Sequence, residues 1–371
     1  MTITITAAVA ERKDAPFKLE RLALDEPRPD EVLVRIVASG ICQTDAHVWH
    51  GHIPTGMPIV LGHEGSGIVE RVGVSVTSVK PGDHVVLSYH ACGRCTPCLG
   101  GHFPYCDFAM EANFSGERLD GTIGVHRHDG DEGAAMHGHF FGQSSFATHA
   151  LATERNTVKV PDDVPIELLG PLGCGLQTGA GAVLNSFKVA AGQTIAVFGA
   201  GAVGLAAVMA ARVAAAGAII AVDVHDERLA LAKDLGATHV VKVGDGEVGD
   251  RLREITGRGV DFVLDTSGRS EMLAQAVNGL ATLGQLGLVA SAGGDGTIDA
   301  AKLNLGIAVR GIVQGDSVPQ LFIPELVRLF KAGLFPFDRL VRFFQFDQIN
   351  EAFAASASGA VIKPVIQIAD Q

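Results

Sequence analysis

Short apolar runs alternate with helix-forming segments through the second half of the chain, and this alternation limits the folds open to it. The apolar runs cover 194–198, 218–222, 260–265 and 287–290, and the helix-forming segments include 203–216 and 227–235. Strands that alternate with helices form βαβ units, whose strands pair in parallel. The second half of the sequence therefore predicts an α/β domain built on a parallel sheet.

A glycine-rich turn follows the first predicted strand of this half and opens its first helix. It reads Gly199-Ala200-Gly201-Ala202-Val203-Gly204, and the N–H groups of such a turn can face the pyrophosphate of a dinucleotide. Asp223 ends the next strand, where a carboxylate accepts hydrogen bonds from the ribose hydroxyls and repels a 2′-phosphate. We therefore predict a doubly wound Rossmann sheet that binds NAD through Gly199, Gly201, Gly204 and Asp223. Two alternatives stay open, since Asp223 also suits a helix cap and the nearby Arg228 would allow some use of NADP.

Four of the six cysteines lie in one short segment of the first half. They are Cys92, Cys95, Cys98 and Cys106. Glycine and proline between them indicate a loop, and four thiolates on one loop can surround a tetrahedral Zn²⁺ ion. Disulfides and an iron–sulfur cluster are the alternatives that the spacing leaves open. We predict a structural zinc site here.

The remaining cysteines, Cys42 and Cys174, form a second candidate set with His63. Two thiolates and one imidazole leave the fourth position of a Zn²⁺ ion open for water or substrate, as at catalytic sites. Taken singly, each of these residues is more often a buried structural side chain. Their separation in sequence does not show that they meet.

The segments around these residues closely resemble those of the zinc-dependent medium-chain alcohol dehydrogenases. Residues 40–47 read GICQTDAH, and residues 62–67 read GHEGSG. The resemblance runs from about residue 20 to the C-terminus and is nearest to bacterial aryl-alcohol (benzyl alcohol) dehydrogenases. It implies a mostly β, GroES-like catalytic domain over 1–173 and 317–371, with the NAD-binding Rossmann domain over 174–316.

The resemblance also implies two zinc ions per chain, one catalytic and one structural. A zinc ion held by Cys42, His63 and Cys174 would act as a Lewis acid that lowers the pKa of the alcohol, and hydride would pass to NAD. Thr44 and His47 match a hydroxyl residue and a histidine that carry the alcohol proton toward solvent. Each has a structural alternative, because Thr44 also suits a helix cap and His47 an ordinary surface position.

Three charged residues complete the implied site. Asp45 matches a carboxylate that orients the zinc-bound histidine. Glu64 follows a ligand directly, and either supports the site from behind or binds the metal transiently. Lys363 aligns with a basic position that contacts a cofactor phosphate.

Aromatic residues gather in the stretches that line the substrate pocket in the family. The predicted pocket residues are Trp49, Ser88, Tyr105, Phe140 and Phe141. Flat or unsaturated alcohols stack well on such rings, although Phe140 and Phe141 suit a plain core equally well. We therefore predict oxidation of a primary aromatic or allylic alcohol to the aldehyde. A thiol-adduct (glutathione-type) formaldehyde dehydrogenase and a non-catalytic zinc- or nucleotide-binding relative are the alternatives.

Charge and hydropathy limit the partners of the chain. Its net charge of -12 repels phosphate backbones, so nucleic acid is not an expected partner. The stretch 203–222 has the length of a membrane span and a single charge, Arg212, but we interpret it as a buried helix, a break at Gly217 and a buried strand.

No signal-peptide pattern precedes the charged residues after 10, so we expect a cytoplasmic protein. The alternating segment 308–314 suits an edge strand that joins subunits, which predicts a homodimer or a dimer of dimers.

Overall fold

The computed structural model describes residues 2–127, 136–290 and 296–368. The chain divides into two compact units. The first comprises Met1–Cys174, Val318–Arg328 and Asp338–Gln371, and the second comprises Gly175–Ser317 and Leu329–Phe337. Three parts of the chain fall on the other side of the predicted domain limits, which stay predictions. Cys174 belongs to the first unit, whereas Ser317 and the segment Leu329–Phe337 belong to the second.

The first unit is mostly β-structure. Its strands are β1 (Thr2–Ala10), β2 (Lys18–Asp25), β3 (Glu31–Gly40), β4 (Ile59–Val60), β5 (Gly65–Val72), β6 (His84–Leu87), β7 (Val125–Arg127), β8 (His149–Thr153), β9 (Thr157–Lys159), β16 (Val341–Gln345) and β17 (Lys363–Gln367). One described sheet has the order β4-β1-β2-β7. The other has the order β16-β17-β3-β5-β6-β9, and β8 also pairs with β3.

Strand β3 is the centre of the larger sheet, and both of its faces are covered. Val32, Val34 and Ile36 pack into one apolar cluster, whereas Leu33 packs into a second cluster that also contains Phe146 and Ile366. A strand buried on both faces reads as a continuous apolar run, which explains the sequence EVLVRIVA. Ile366 lies on β17, so the end of the chain contributes to the core of the first unit.

Helices in the first unit are short and connect the strands. They are α1 (Gln43–Trp49), α2 (Thr96–Leu99), α3 (Ala109–Phe114) and α11 (Ile349–Ala357). Helix α10 (Pro319–Lys331) begins in the first unit and ends in the second.

The second unit contains the predicted parallel sheet. Its strands are β10 (Thr194–Phe198), β11 (Ala218–Asp223), β12 (His239–Lys242), β13 (Val260–Asp265), β14 (Leu280–Leu288) and β15 (Ala308–Gly311). Its helices are α4 (Gly175–Gly181), α5 (Ala202–Val213), α6 (Asp226–Leu235), α7 (Val248–Thr256), α8 (Ser270–Gly279) and α9 (Ala300–Leu303). The described strands pair in parallel in the order β12-β11-β10-β13-β14-β15, which is the 3-2-1-4-5-6 order of the Rossmann fold.

The apolar stretch 203–222 is divided between α5 and β11. Residues Gly204–Ala211 of the helix are all buried. Gly217 lies between the two elements, where a Cβ would come within 2.5 Å of the Gly192 carbonyl oxygen. Among residues 2–127, 136–290 and 296–368, no helix combines the length and the apolar character that crossing a bilayer requires.

Candidate active site

Four potential metal-binding side chains converge within the first unit. Each offers one ligand atom, and these four atoms all lie within 4.8 Å of one another. Three of the four residues are buried, and Cys42 is half-buried. The set comprises Cys42, His63, Glu64 and Cys174. It contains the three residues predicted to hold a catalytic zinc ion.

Asp45 joins the segment of Cys42 to the segment of His63. Cys42 is the N-cap of α1, and its N–H donates to Oδ2 of Asp45 at 3.0 Å. Oδ1 of Asp45 accepts from the N–H of Gly62 at 3.1 Å and from Nδ1 of His63 at 3.0 Å. A carboxylate only accepts hydrogen bonds, so Nδ1 of His63 carries the hydrogen and Nε2 carries the free lone pair. Asp45 thus fixes the tautomer that a metal-binding histidine needs.

The imidazole of His63 is held in place by aromatic rings. The ring of Phe141 stacks on it at 4.4 Å between centroids, and Phe140 meets it edge-on at 5.5 Å. Gly62 has a φ of +93°, and a Cβ there would lie 2.5 Å from the backbone nitrogen of Phe146. Glycine is therefore required immediately before this histidine.

Cys174 follows a tight turn over Gly170–Gly173. A Cβ on Gly173 would lie 2.0 Å from the carbonyl oxygen of Leu87, so the turn passes directly over the neighbouring backbone. Oγ of Ser88 donates to the carbonyl of Gly173 at 2.7 Å. Ser88 therefore supports the turn that presents Cys174.

The donor set suits a zinc ion. Nε2 of His63 is buried and has no hydrogen-bond partner among the described residues, which is unusual for a polar atom inside a protein. A hydrogen bond with Cys174 lowers the pKa of Cys42 well below its ordinary value, whereas that same bond raises the pKa of Cys174. Two sulfurs and an imidazole lone pair, converging in a buried site, form the Cys₂His set of catalytic zinc sites.

Glu64 and Lys363 form a buried ion pair beside these donors. Nζ of Lys363 lies 2.9 and 2.8 Å from the two carboxylate oxygens and donates to the carbonyl of Ile41 at 2.9 Å. Burial raises the pKa of Glu64 to about 7. Burial by itself would lower the pKa of Lys363, but the charges of Glu64, Cys42 and Cys174 and the hydrogen bond to Glu64 together raise it. Lys363 therefore has a partner in the first unit, and its predicted contact with a cofactor phosphate stays a prediction.

The two predicted relay residues lie on α1. Thr44 is inside the helix, so Cys42 and not Thr44 occupies the cap, and Oγ1 of Thr44 lies 3.7 Å from Sγ of Cys42. His47 is half-buried near the other end of the helix. Burial and the charge of His52 lower the pKa of His47.

The four clustered cysteines surround a second potential metal position. The sulfurs of Cys92, Cys95, Cys98 and Cys106 all lie within 4.8 Å of one another, and none of the six cysteines, which all lie among the described residues, forms a disulfide. Backbone N–H groups point at these sulfurs, including those of Arg94 and Asp107 at 3.4 Å. N–H donors stabilise thiolates, which are the form that binds zinc.

The glycine-rich turn of the second unit joins β10 to α5. Gly199 has a φ of +92°, and a Cβ on Gly204 would lie 1.8 Å from its carbonyl oxygen. A Cβ on Gly201 would meet nothing within 4 Å. Asp223 accepts from the N–H of Ala200 at 2.6 Å, and it ends β11 as predicted. The turn thus has one face packed and one face open to a ligand.

Three further residues were predicted to contact the cofactor or the substrate: Arg228, Trp49 and Tyr105. Arg228 is half-buried on α6. Trp49 packs against Phe17 and Phe353, with ring centroids 5.5 and 5.6 Å away, and its Nε1 donates to the carbonyl of Ala15. Tyr105 lies in a short turn of the four-cysteine segment. Their predicted roles toward a cofactor or a substrate stay predictions.

Gln143 supports the candidate site although no sequence pattern indicates it. Its Nε2 donates to the carbonyls of His63 and Ser88, both at 3.1 Å, and its Oε1 accepts from the N–H of Gly65. It is buried and ties the histidine segment to the segment beneath Cys174. A single glutamine in the run FFGQSS carries no periodic signal, so nothing in the sequence pointed to it.

Comparison with known proteins gives consistent matches. A family model described as alcohol dehydrogenase GroES-like domain matches residues 28–162, and one described as zinc-binding dehydrogenase matches residues 202–332. The chain is 44% identical over 369 residues to a geraniol dehydrogenase from Castellaniella defragrans, covering 98% of each. A solved structure from Burkholderia ambifaria, an alcohol dehydrogenase zinc-binding domain protein, is 51% identical with a TM-score of 0.97 and complete coverage of both chains. Benzyl alcohol dehydrogenase from Acinetobacter calcoaceticus is 48% identical with a TM-score of 0.95, covering 99% of this chain and 100% of that one.

Proposed function

Since the chain belongs to the zinc-dependent medium-chain alcohol dehydrogenases, we propose that its substrates are primary allylic and aromatic alcohols and that its hydride acceptor is NAD. The family membership makes the chain an oxidoreductase that converts a primary alcohol to the aldehyde. The substrate class, the nucleotide and the number of zinc ions are the parts that we propose here.

The observation that supports catalysis best is the convergence of Cys42, His63 and Cys174 around an unpartnered Nε2. A zinc ion held by these three side chains would supply Lewis-acid chemistry to the alcohol oxygen. A non-catalytic relative would not need a buried set of three donors with the histidine tautomer fixed by Asp45. Together with the four-cysteine site, this gives two zinc ions per chain.

The residues of α1 supply a route for the proton that the alcohol loses. A hydroxyl group can accept one hydrogen bond while donating another, so Thr44, which lies beside Cys42, can receive the alcohol proton and transfer a proton toward His47. His47 is three residues further along the same helix, and its lowered pKa favours release of a proton at neutral pH. Thr44 and His47 are thus the proposed relay.

Two features support the substrate class and the nucleotide. The named relatives act on geraniol, an allylic alcohol, and on benzyl alcohol. Phe140 and Phe141 are buried in the core of the first unit, where they make the surroundings of His63 aromatic and apolar, and such surroundings suit a planar unsaturated group. Asp223 has a carboxylate at the end of β11 with lone pairs left for ribose hydroxyls, and its charge repels a 2′-phosphate.

The test measures NADH formation with benzyl alcohol, an allylic terpene alcohol, ethanol, and formaldehyde plus glutathione, each with NAD and with NADP. We expect turnover of the first two alcohols with NAD. A preference for formaldehyde only when glutathione is present would replace the proposal with the thiol-adduct reaction. Cys174→Ser is the matched control, because it should lose activity and one zinc ion per chain while keeping the zinc of the four-cysteine site.

We also propose that the active form is a homodimer or a dimer of dimers. Strand β15 is at one edge of the described sheet, paired on one side with β14. An exposed strand edge is a ready surface for pairing with another copy of the chain. Sedimentation should show no stable monomer.

The proposed compartment is the cytoplasm. In this proposal all six cysteines are metal ligands, and thiols remain reduced most readily in a reducing compartment. Fractionation of the source cells tests this placement.

A further inference from the structure

Three histidines gather where α1 ends: His47, His50 and His52. Nδ1 of His47 lies 3.2 Å from Nδ1 of His52, and their ring centroids are 5.5 Å apart. Two imidazole nitrogens at this distance share one hydrogen, which one ring donates and the other accepts. The two rings therefore have the geometry for direct proton transfer.

The backbone holds the two rings together. The N–H groups of His52 and Ile53 both donate to the carbonyl oxygen of His47, at 2.8 and 3.3 Å. Gly51, with a φ of +68°, turns the chain back after the helix. His52 is thus fixed over the last turn of α1 by contacts that do not depend on its side chain.

The two histidines differ in their access to water, because His47 is half-buried and His52 is exposed. Burial and the charge of His52 lower the pKa of His47, so a proton on His47 is weakly held. The other charged groups nearby are His50, which bonds Asp14 at 2.6 Å, Lys13 beside Gly51, and Cys42. None of these groups is bonded to the shared hydrogen.

We propose that His52 accepts the proton of alcohol oxidation from His47 and passes it to solvent. This inference rests on the proposed function, in which His47 receives that proton. A proton arrives at Nε2 of His47, the hydrogen on its Nδ1 moves to Nδ1 of His52, and the hydrogen on Nε2 of His52 leaves to water. One proton enters and one leaves, so each ring ends neutral in its other tautomer. Exchange with water then restores the starting tautomers.

The experiment follows proton release and NADH formation together during the first turnover, in weak buffer with a pH-indicator dye. His52→Gln removes the titratable ring and keeps a polar side chain of similar length. We expect it to slow proton release about threefold or more, because positioned proton transfer contributes large rate factors. Raising the MOPS concentration should restore the wild-type rate, since a mobile buffer can take the proton directly from His47. MOPS is bulky, which limits its access to the metal site.

His50→Gln is the matched control, because His50 bonds Asp14 and not His47. It should leave proton release unchanged. Wild-type rates for His52→Gln in weak buffer would overturn the inference, and so would a slowing that MOPS does not relieve, since a structural defect is insensitive to buffer. His52→Asn repeats the measurement if the first variant misfolds. Absence of NADH formation by the wild type with every alcohol would instead count against the proposed function.

Discussion

Asp45 holds two of the candidate metal ligands in place. Its two oxygens accept from Cys42, Gly62 and His63, so one fully buried carboxylate positions the backbone of one ligand and the ring of another. Loss of a carboxylate that orients a metal-binding histidine typically weakens metal binding by about 10- to 100-fold.

We expect Asp45→Asn to lower the affinity of the Cys₂His site for zinc about 10- to 100-fold. Asparagine has one acceptor oxygen, and its NH₂ group would face an N–H donor. Competition with a chromogenic chelator measures the loss, and the four-cysteine site should keep its zinc. The control is Asp226→Asn, on the exposed surface of α6, which should retain both ions. Equal zinc retention by the two variants would show that Asp45 does not orient the ligand.

His139 makes the stability of the first unit depend on pH. It is buried, and burial lowers its pKa to about 3, so the unfolded chain binds a proton at this residue before the folded chain does. Stability is therefore complete above the unfolded pKa and is lost as the pH falls from about 6.5 toward 3.

Between about pH 7 and about pH 5, we expect wild type to lose about 2 kcal/mol more unfolding free energy than His139→Asn. Trp49 is the single tryptophan of the chain and lies in the first unit, so its fluorescence during urea unfolding reports on this unit. Excess zinc keeps the metal sites filled. The same loss in both proteins would assign the acid sensitivity to other groups.

The sequence indicated the candidate ligands and one of the contacts that support them, the contact of Asp45 with His63, but not the others. Cys42, His63 and Cys174 could be predicted as one set only from the resemblance to a known family, because their separation in sequence does not show that they meet. Gln143 and the pairing of Lys363 with Glu64 were not, because each joins segments far apart in the chain. Such contacts depend on how the sheets pack, and no local pattern encodes that packing.

Among the elements of the second unit, the turn between β10 and α5 contains two glycines, Gly201 and Gly204, with different surroundings. Gly204 lies against the carbonyl of Gly199, so it allows the helix to approach the strand. Gly201 has open space where its Cβ would be, on the side available to a ligand. Local pattern predicted this turn well, because strand, turn and helix are adjacent in sequence.

The two alanine variants of this turn should therefore separate folding from cofactor binding. We expect Gly204→Ala to destabilise the second unit by about 1–3 kcal/mol, because the added methyl group overpacks the turn. Gly201→Ala should fold normally but bind NADH about tenfold or more weakly, a loss of about 1.4 kcal/mol. Thermal unfolding and NADH fluorescence titration measure the two effects. Unchanged NADH affinity in Gly201→Ala would place the pyrophosphate elsewhere.

At the scale of the molecule, the family assignment and the parallel sheet agree with expectations from the sequence. The predicted domain limits stay predictions, and the compact units divide the chain differently, since 329–337 belongs to the second unit although it follows a segment of the first. Phe335 and Phe337 in this segment are buried. Apolar composition shows that such residues are inside, but not in which core they lie.

The Lys363–Glu64 pair connects the end of the chain to the metal centre. We expect Lys363→Met to destabilise the first unit by about 3 kcal/mol or more, because it leaves a buried carboxylate without its cation. The double variant Lys363→Met/Glu64→Gln should recover most of that loss. Lys159→Met removes an exposed partner of Asp83 and should cost less than about 1 kcal/mol. Urea unfolding followed by Trp49 fluorescence distinguishes these variants, and equal losses for the two lysines would contradict a buried pair.

Strand β17 follows every strand of the second unit in the sequence, yet it pairs with β3 of the first unit. Since a chain is synthesised from its N-terminus, the strands of the second unit leave the ribosome before β17 does. Until β17 emerges, the position beside β3 stays unfilled and Glu64 lacks Lys363. The sheet that contains β3 is therefore completed only after all strands of the second unit's sheet have been made.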